Sequence, residues 1–341
     1  MENFKNALQG LATLKQVNDY GMFQMTYIGD YGFDNFLKIG VTETEDADTF
    51  TMKHLLTDIP IDYSLSRKSK SISGTGCTVF TARNEKGEVL FCRNYDFMYG
   101  KENYSPALQL FTSPINGYSS VSTVNLLFCG YDEETLPSGL TLDSFPVLSS
   151  PYEPMDGVNS KGVAVAILSV PTAEPAFDEN KVTLNQLTTI RLVLDKAANV
   201  EEALNLLRQY NICFELNICC QFLIADAVGR SVIVNYCDGG MKVTDTHEPY
   251  QIASNFAACN HDIRTGICEF ERYDKVKAAL ANNNGVLPEQ KVINLLADVG
   301  CIYEGKLCLQ WSVIYNLTTL EGVIFANGTK DRLTRFSLEK Q

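Results

Sequence analysis

The sequence is poor in the residues that most metal, nucleotide and nucleic-acid chemistries need. It holds three histidines, and no two of its cysteines are separated by two residues, the spacing a zinc site most often uses. Cys259-Asn260-His261 is the nearest approach to such a site, and His54 and His247 have no His, Cys or carboxylate cluster around them. No metal is expected. No glycine-rich loop follows a strand-like run, so a phosphate cradle has nothing to build on. Positive charge is scarce as well: Lys plus Arg is 28 against 41 Asp plus Glu, a net charge of −13. A surface of that sign repels phosphate backbones, which excludes nucleic acid as a partner. No run approaches the roughly 20 apolar residues needed to span a bilayer. The start, Met1-Glu2-Asn3-Phe4-Lys5, lacks a basic region followed by an apolar stretch. The expectation is a cytoplasmic protein with no membrane partner.

What the sequence does hold is enough apolar material for a substantial core. Hydrophobic residues make up 45% and charged residues 20% of 341, proportions that exclude disorder over most of the length. The eleven cysteines are odd in number and sit in a long chain without an export signal, so they read as reduced thiols. Cys92, Cys129, Cys219, Cys220 and Cys237 lie inside apolar runs, where a free Cys behaves as a small buried hydrophobe.

Residues 1–76 differ from the rest. An amphipathic start leads to an aromatic stretch at Tyr27 to Phe36, the acidic run Glu43 to Asp48, and a basic, serine-rich link ending in Ser73-Gly74-Thr75-Gly76. A boundary is expected at residue 76, where the strand-like Cys77 to Ala82 begins. Beyond it, Val89–Cys92, Val163–Val170, Gln221–Ala225, Ser231–Tyr236, Tyr250–Ala253, Leu309–Tyr315 and Val323–Phe325 carry strand composition. Ala227 to Arg230 and Leu317 to Gly322 read as hairpin turns, so the sheets should be largely antiparallel. Thr183 with Gln186, and Asn199 with Glu202, have the spacing of helix caps. Glu271–Ala281 and Glu289–Val299 add two more helices. Helices grouped between antiparallel strands indicate an α+β layered domain.

Cys77 differs from the other cysteines in its surroundings. It follows Gly76, a residue free to adopt a strained turn in which the thiol could attack its own preceding carbonyl. Cleavage there would leave Cys77 as a new N-terminus, whose α-amine titrates near 8 and can serve as general base for the thiol on the same residue. With Asn84 to Glu88 as a turn, symmetric pairing brings Arg93-Asn94-Tyr95-Asp96 opposite Gly76 to Val79. An arginine there favours the thiolate, and a carboxylate can hold an α-ammonium. Taken alone, Arg93 and Asp96 also read as an ordinary surface pair.

Cys77-Thr78, then Arg93-Asn94-Tyr95-Asp96, then Gly157 to Val165 around Asn159-Ser160-Lys161-Gly162, with Ser254-Asn255-Phe256, Arg272 and Trp311 to Asn316, resembles the choloylglycine hydrolase and linear-amide C–N hydrolase group of N-terminal-nucleophile (Ntn) hydrolases. That group includes penicillin acyltransferase-like and acid ceramidase-like relatives. The resemblance implies a four-layer αββα sandwich with antiparallel sheets. It implies Cys77 as nucleophile with Arg93 and Asp96 beside it, the backbone amide of Asn159 or of its neighbour as one oxyanion donor, and the side-chain amide of Asn255 as the other. It also implies Arg272 as a late site arginine, with Arg264 its competitor. Relatives with a segment before the Cys cut themselves, so residues 1–76 are expected to be a propeptide or small subunit released at Gly76–Cys77, and 77–341 the catalytic domain. The aromatic content of that segment suggests that it stays bound after cleavage. The implied reaction is hydrolysis of a small N-acyl compound through an acyl-thioester, with no metal or organic cofactor. Candidate substrates are a bile acid conjugate, penicillin V, an N-acyl amino acid or an N-acyl ethanolamine. An acyltransferase using the same thioester, or a non-catalytic binding protein of the same fold, are the alternatives. A symmetric homo-oligomer is a fair expectation for such an enzyme.

Overall fold

The computed structural model describes residues 2–41, 47–56, 75–98, 106–131, 135–215, 218–258, 267–303 and 305–339. The strand-like segments collect into two facing sheets. The six-stranded sheet is antiparallel throughout and runs Ile252–Ala253, Thr75–Arg83, Val89–Phe97, Leu309–Asn316, Glu321–Ala326, Thr334–Ser337. The nine-stranded sheet runs Lys15–Gln16, Met22–Thr26, Ala107–Thr112, Ser120–Asn125, Pro154–Asn159, Ala164–Ser169, Cys220–Ala225, Ser231–Cys237, Gly240–Asp245. Strand Thr75–Arg83 lies against Ala164–Ser169 and Cys220–Ala225 of the other sheet.

Helices cover the outer faces. Gln186–Lys196 packs on Pro154–Asn159 and Ala164–Ser169, with Val200–Leu207 beside it. Ile267–Ala281 and Glu289–Asp298 pack on the six-stranded sheet, closing a core of Phe80, Cys92, Val276, Leu296, Ile314 and Phe325. The result is the helix–sheet–sheet–helix sandwich expected. Covering both faces buries every residue of Val89–Phe97, which is why that strand lacks a polar, solvated side.

Several local expectations shift. The long helix begins with Asn185 as its cap, not Thr183: Asn185 Oδ1 accepts from the Leu187 and Thr188 N–H groups, and the Asn185 N–H donates to Thr188 Oγ1. Thr183 is instead taken by a short parallel pairing with Asn211. Asn199 caps the next helix through the Glu202 N–H, as its spacing predicts. The strands Ala107–Thr112, Ser120–Asn125, Pro154–Asn159 and Gly240–Asp245 have no clear signal in the sequence. Ser-Val-Ser-Thr-Val-Asn and Pro-Met-Asp-Gly-Val-Asn carry turn residues that burial overrides. The eleven cysteines are not all thiols, because Cys237 is disulfide-bonded.

Strand Thr75–Arg83 begins one residue before Gly76, and residues 57–74 lie outside the described ones. The described part of residues 1–76 is woven into the domain. Met22–Thr26 pairs in parallel with Ala107–Thr112, the one departure from antiparallel order among the described strands of that sheet. Phe33, Phe36 and Phe50 pack edge-on around Tyr152, at 5.8, 5.1 and 6.0 Å between ring centres. Tyr31 reaches deepest. Its hydroxyl donates to Asp195 Oδ2 at 2.7 Å, while Arg191 holds Asp195 Oδ1 at 3.3 Å and donates to the Pro151 carbonyl, Ser120 and Ser122.

Tyr31→Phe removes one donor from a buried, ion-paired carboxylate. It should lower the unfolding free energy of the chain by about 1–3 kcal/mol, read as a shifted urea midpoint with unchanged slope. An unmoved midpoint would show that the N-terminal segment is not anchored through this network.

Candidate active site

The hairpin expected around Asn84 to Glu88 forms with the anticipated register: Gly76 pairs with Asp96, Cys77 with Tyr95, Thr78 with Asn94 and Val79 with Arg93. Because side chains alternate along a strand, this register sorts the motif onto two faces. Cys77, Arg93 and Tyr95 point between the sheets. Thr78, Asn94 and Asp96 point toward the helices.

Between the sheets, Arg93 is fully buried and its Nη2 lies 3.6 Å from Cys77 Sγ. Its Nη1 donates to the Met155 carbonyl and lies 3.3 Å from Asp156 Oδ2. Asp156 in turn accepts from the Tyr315 hydroxyl at 2.6 Å and the Trp311 indole N–H at 3.2 Å. The guanidinium also lies over the Tyr95 ring, which stacks on Trp311 at 4.1 Å. Sequence reasoning does not single out Asp156, although it stands three residues before Asn159. Burial pushes the Cys77 thiol above its ordinary value, and the Arg93 charge is the strongest influence opposing that rise.

On the helix side, Asp96 Oδ2 accepts from Arg272 Nη1 at 2.8 Å and Oδ1 accepts the Cys301 N–H at 2.9 Å. Burial raises the carboxyls of both Asp96 and Asp156, with Arg272 opposing at the first and Arg93 at the second. Both of these partners of Asp96 only donate, so the carboxylate is the form that completes them. Arg272 also donates to Thr78 Oγ1 at 3.3 Å and to Asn255 Oδ1 at 3.4 Å. Arg264 and the Cys259-Asn260-His261 run lie outside the described residues.

Asn255 closes the group. Its Oδ1 accepts the Cys77 backbone N–H at 2.5 Å, and its Nδ2 donates to the Ser169 carbonyl and hydroxyl, both at 2.9 Å. Thus in the continuous chain the Cys77 N–H faces Asn255, while Asp96 is engaged by Arg272 and the Cys301 N–H. Gly76 departs from expectation. It is not in a strained turn but in the ladder opposite Asp96, and the space there is tight: an added Cβ would lie 3.1 Å from Asp96 Cβ and 3.2 Å from Arg272 Nη2.

Asn159 is the residue that the structure does not bring to Cys77. Its Oδ1 accepts from the Lys161 and Val163 N–H groups, locking the hairpin, and its Nδ2 donates to the Leu194 and Ala197 carbonyls at the end of a helix. The other end of that hairpin reaches the site and delivers Ser169, which sequence reasoning missed. Cys77 and Ser169 share a small cavity of about 40 Å³ walled by Tyr95, Phe97, Phe128, Met155 and Ile167, with Cys220 as a second thiol. Among the described residues no group of three or more His, Cys, Asp or Glu side chains forms a metal site. No helix there is long and apolar enough to cross a membrane.

Residues 77–284 match the family model of linear amide C-N hydrolases, choloylglycine hydrolase family. By fold, the chain is similar to a mutant form of conjugated bile acid hydrolase from Clostridium perfringens. That pair has 15% identity and a TM-score of 0.53, covering 78% of this chain and 93% of the other. It is also similar to penicillin V acylase from Agrobacterium tumefaciens, at 17% identity and a TM-score of 0.50 over 73% and 83% of the two chains. The comparison with curated proteins gives no match.

Arg93→Gln removes the cation nearest the thiol, and losing a positive neighbour disfavours the thiolate. The pH profile of Cys77 alkylation by iodoacetamide, followed by peptide mass, should move to higher pH in a variant whose circular dichroism is unchanged. A profile that stays in place would remove Arg93 from thiol activation.

Proposed function

The chain belongs to the choloylglycine hydrolase family of linear amide C–N hydrolases, and from that premise we propose that Cys77 is its nucleophile, exposed by cleavage of the Gly76–Cys77 bond. The observation that carries the reading is that the family match begins at Cys77, the cysteine whose sulfur lies 3.6 Å from a fully buried guanidinium.

In self-cleavage the thiol adds to the Gly76 carbonyl, the acyl group passes from nitrogen to sulfur, and water hydrolyses the thioester. The products are a Gly76 carboxylate and a Cys77 α-amine. Gly76 is then gone from the position opposite Asp96, and the new ammonium gains access to that carboxylate as well as to Asn255. In turnover, the α-amine takes the thiol proton as sulfur attacks the acyl carbonyl, and gives it to the departing amine. Water then releases the acyl group. Asn255 Nδ2, held at 2.9 Å from the Ser169 carbonyl and hydroxyl, supplies a donor for the developing oxyanion, with the Ser169 hydroxyl beside it. Losing one such donor typically costs about 3 kcal/mol in the barrier. Arg93 stabilises negative charge on sulfur, Arg272 fixes Asp96 and Asn255, and Asn159 keeps its place as the lock of the hairpin.

The acyl group belongs in the aromatic and aliphatic cavity beside Cys77, which suits an apolar acyl portion of a small N-acyl compound. The cavity is narrow before cleavage, and departure of Gly76 from the strand gives the acyl group room. Tyr31, Phe33 and Phe36 are buried, and exposing them would be costly. Residues 1–76 are therefore proposed to stay attached as a second subunit.

Cys77→Ala tests the whole scheme. The wild type should give two masses under denaturing conditions, the larger starting at Cys77, and should release amine from at least one of glycocholate, penicillin V or N-palmitoylethanolamine. The variant should give one uncut chain and no release. Turnover by the Ala variant would overturn the mechanism, and added hydroxylamine separates acyl transfer from hydrolysis by its acyl hydroxamate product.

A further inference from the structure

Asn255 is held by the structure around it, and the elements that hold it are not part of the motif that carries Cys77. The edge strand Ile252–Ala253 pairs with Val79 and Phe80 and then stops. Beyond it, side chains continue the ladder: Ser254 Oγ donates to the Cys77 carbonyl at 3.2 Å, and the Cys77 N–H donates to Asn255 Oδ1. Residues 254–256 therefore lack the regular backbone pairing that would fix them from that side.

The fixing comes from the facing sheet. Gln221, buried on strand Cys220–Ala225, donates through Nε2 to the Ser254 carbonyl at 2.6 Å and to the Phe256 carbonyl at 3.0 Å. These are the carbonyls on either side of Asn255. Its Oε1 accepts from Asn235 Nδ2 at 2.6 Å and from the Ala258 N–H at 3.4 Å. Backbone carbonyls only accept, so the orientation of the Gln221 amide is determined and both of its donors are used on this one segment. Asn235 conforms to it: turning Nδ2 toward Gln221 leaves its own Oδ1 without a hydrogen-bond partner among the described residues, a condition buried polar atoms seldom accept.

We infer that Gln221, backed by Asn235, is a positioning residue for the reaction: it clamps the Ser254 and Phe256 carbonyls and so sets where the Asn255 amide stands relative to Cys77. The inference rests on the proposed role of Asn255 at the oxyanion. Gln221 itself touches neither the sulfur nor the oxyanion donors, so its effect is on their spacing. A displacement near 1 Å at a reacting group can cost about 100-fold in rate.

The test compares wild type with Gln221→Met, which keeps the volume and removes the clamp, and with Asn235→Ala, a milder change should the first variant fail to fold. With penicillin V and glycocholate as probes, Gln221→Met should lower kcat by about 10- to 100-fold while KM stays within about 2-fold, because the cavity walls are untouched. Asn235→Ala should move the same way by less. Amide hydrogen exchange should accelerate across 252–258 in both variants, with protection of Thr75–Arg83 kept. Unchanged kcat, or a fall in kcat together with lost protection over the whole sheet, would overturn the inference. If wild type turns over neither of these probes nor N-palmitoylethanolamine, the proposed function is what fails, and exchange across 252–258 alone decides the clamp: unaltered protection there refutes it.

Discussion

Removing charge from water is expensive unless each charge has a partner, and the region around Cys77 satisfies that constraint twice on one hairpin. Arg93 and Asp156 pair between the sheets, and Arg272 and Asp96 pair beneath the helices. A buried pair seldom adds net stability compared with an apolar isostere, but stripping one member leaves an uncompensated ion. The hairpin is thus committed to its register: sliding it by one residue would send Arg93 toward the helices and Asp96 between the sheets, parting both from their partners. The same commitment fixes the guanidinium at the sulfur, so the need to pair buried charges and the need for a cation near the thiol are met by one arrangement.

The polar groups around Cys77 divide in kind. One side, from Arg93 through Asp156 to Tyr315 and Trp311, is ionic and anchored in strand Leu309–Asn316. The other, from Asn255 through Gln221 to Asn235, is built of amides, with the Arg272 guanidinium donating to Asn255 at its near end. Between the two sides the cavity walls are aromatic and aliphatic, a medium in which each hydrogen bond counts for more than in water.

Much of this was legible in the sequence. The spacing from Cys77 to Arg93 and Asp96 predicted the register because a short turn leaves an antiparallel hairpin little freedom, and several strands after residue 160, such as Ala164–Ser169, Ser231–Cys237 and Leu309–Asn316, were readable from their β-branched and aromatic runs. What was not legible has physical reasons. Ser120–Asn125 and Pro154–Asn159 look like turns because their polar side chains have partners within the core. Asn159 was assigned to the site through the family resemblance alone; its residues by themselves read as a turn, and a turn is what they form. The alternation along the strand that follows, and the hairpin that Asn159 locks, put Ser169 near Cys77 instead. Asp156 meets Arg93 from a distant strand of the facing sheet, and Gln221 and Asn235 reach Asn255 across the sandwich. No local pattern announces such partners.

The parallel pairing of Met22–Thr26 with Ala107–Thr112 bears on how the protein is assembled. In one continuous chain, bringing those strands together is a loop closure whose entropic cost grows only slowly with length. Cut between Gly76 and Cys77, the same contact joins two molecules, and its formation depends on their concentration. An intact precursor could then refold after denaturation even when dilute, whereas the processed enzyme, once its pieces part, would recover poorly under the same conditions. If the proposed cut follows folding, the mature form would persist because its pieces separate slowly, a kinetic rather than an equilibrium property.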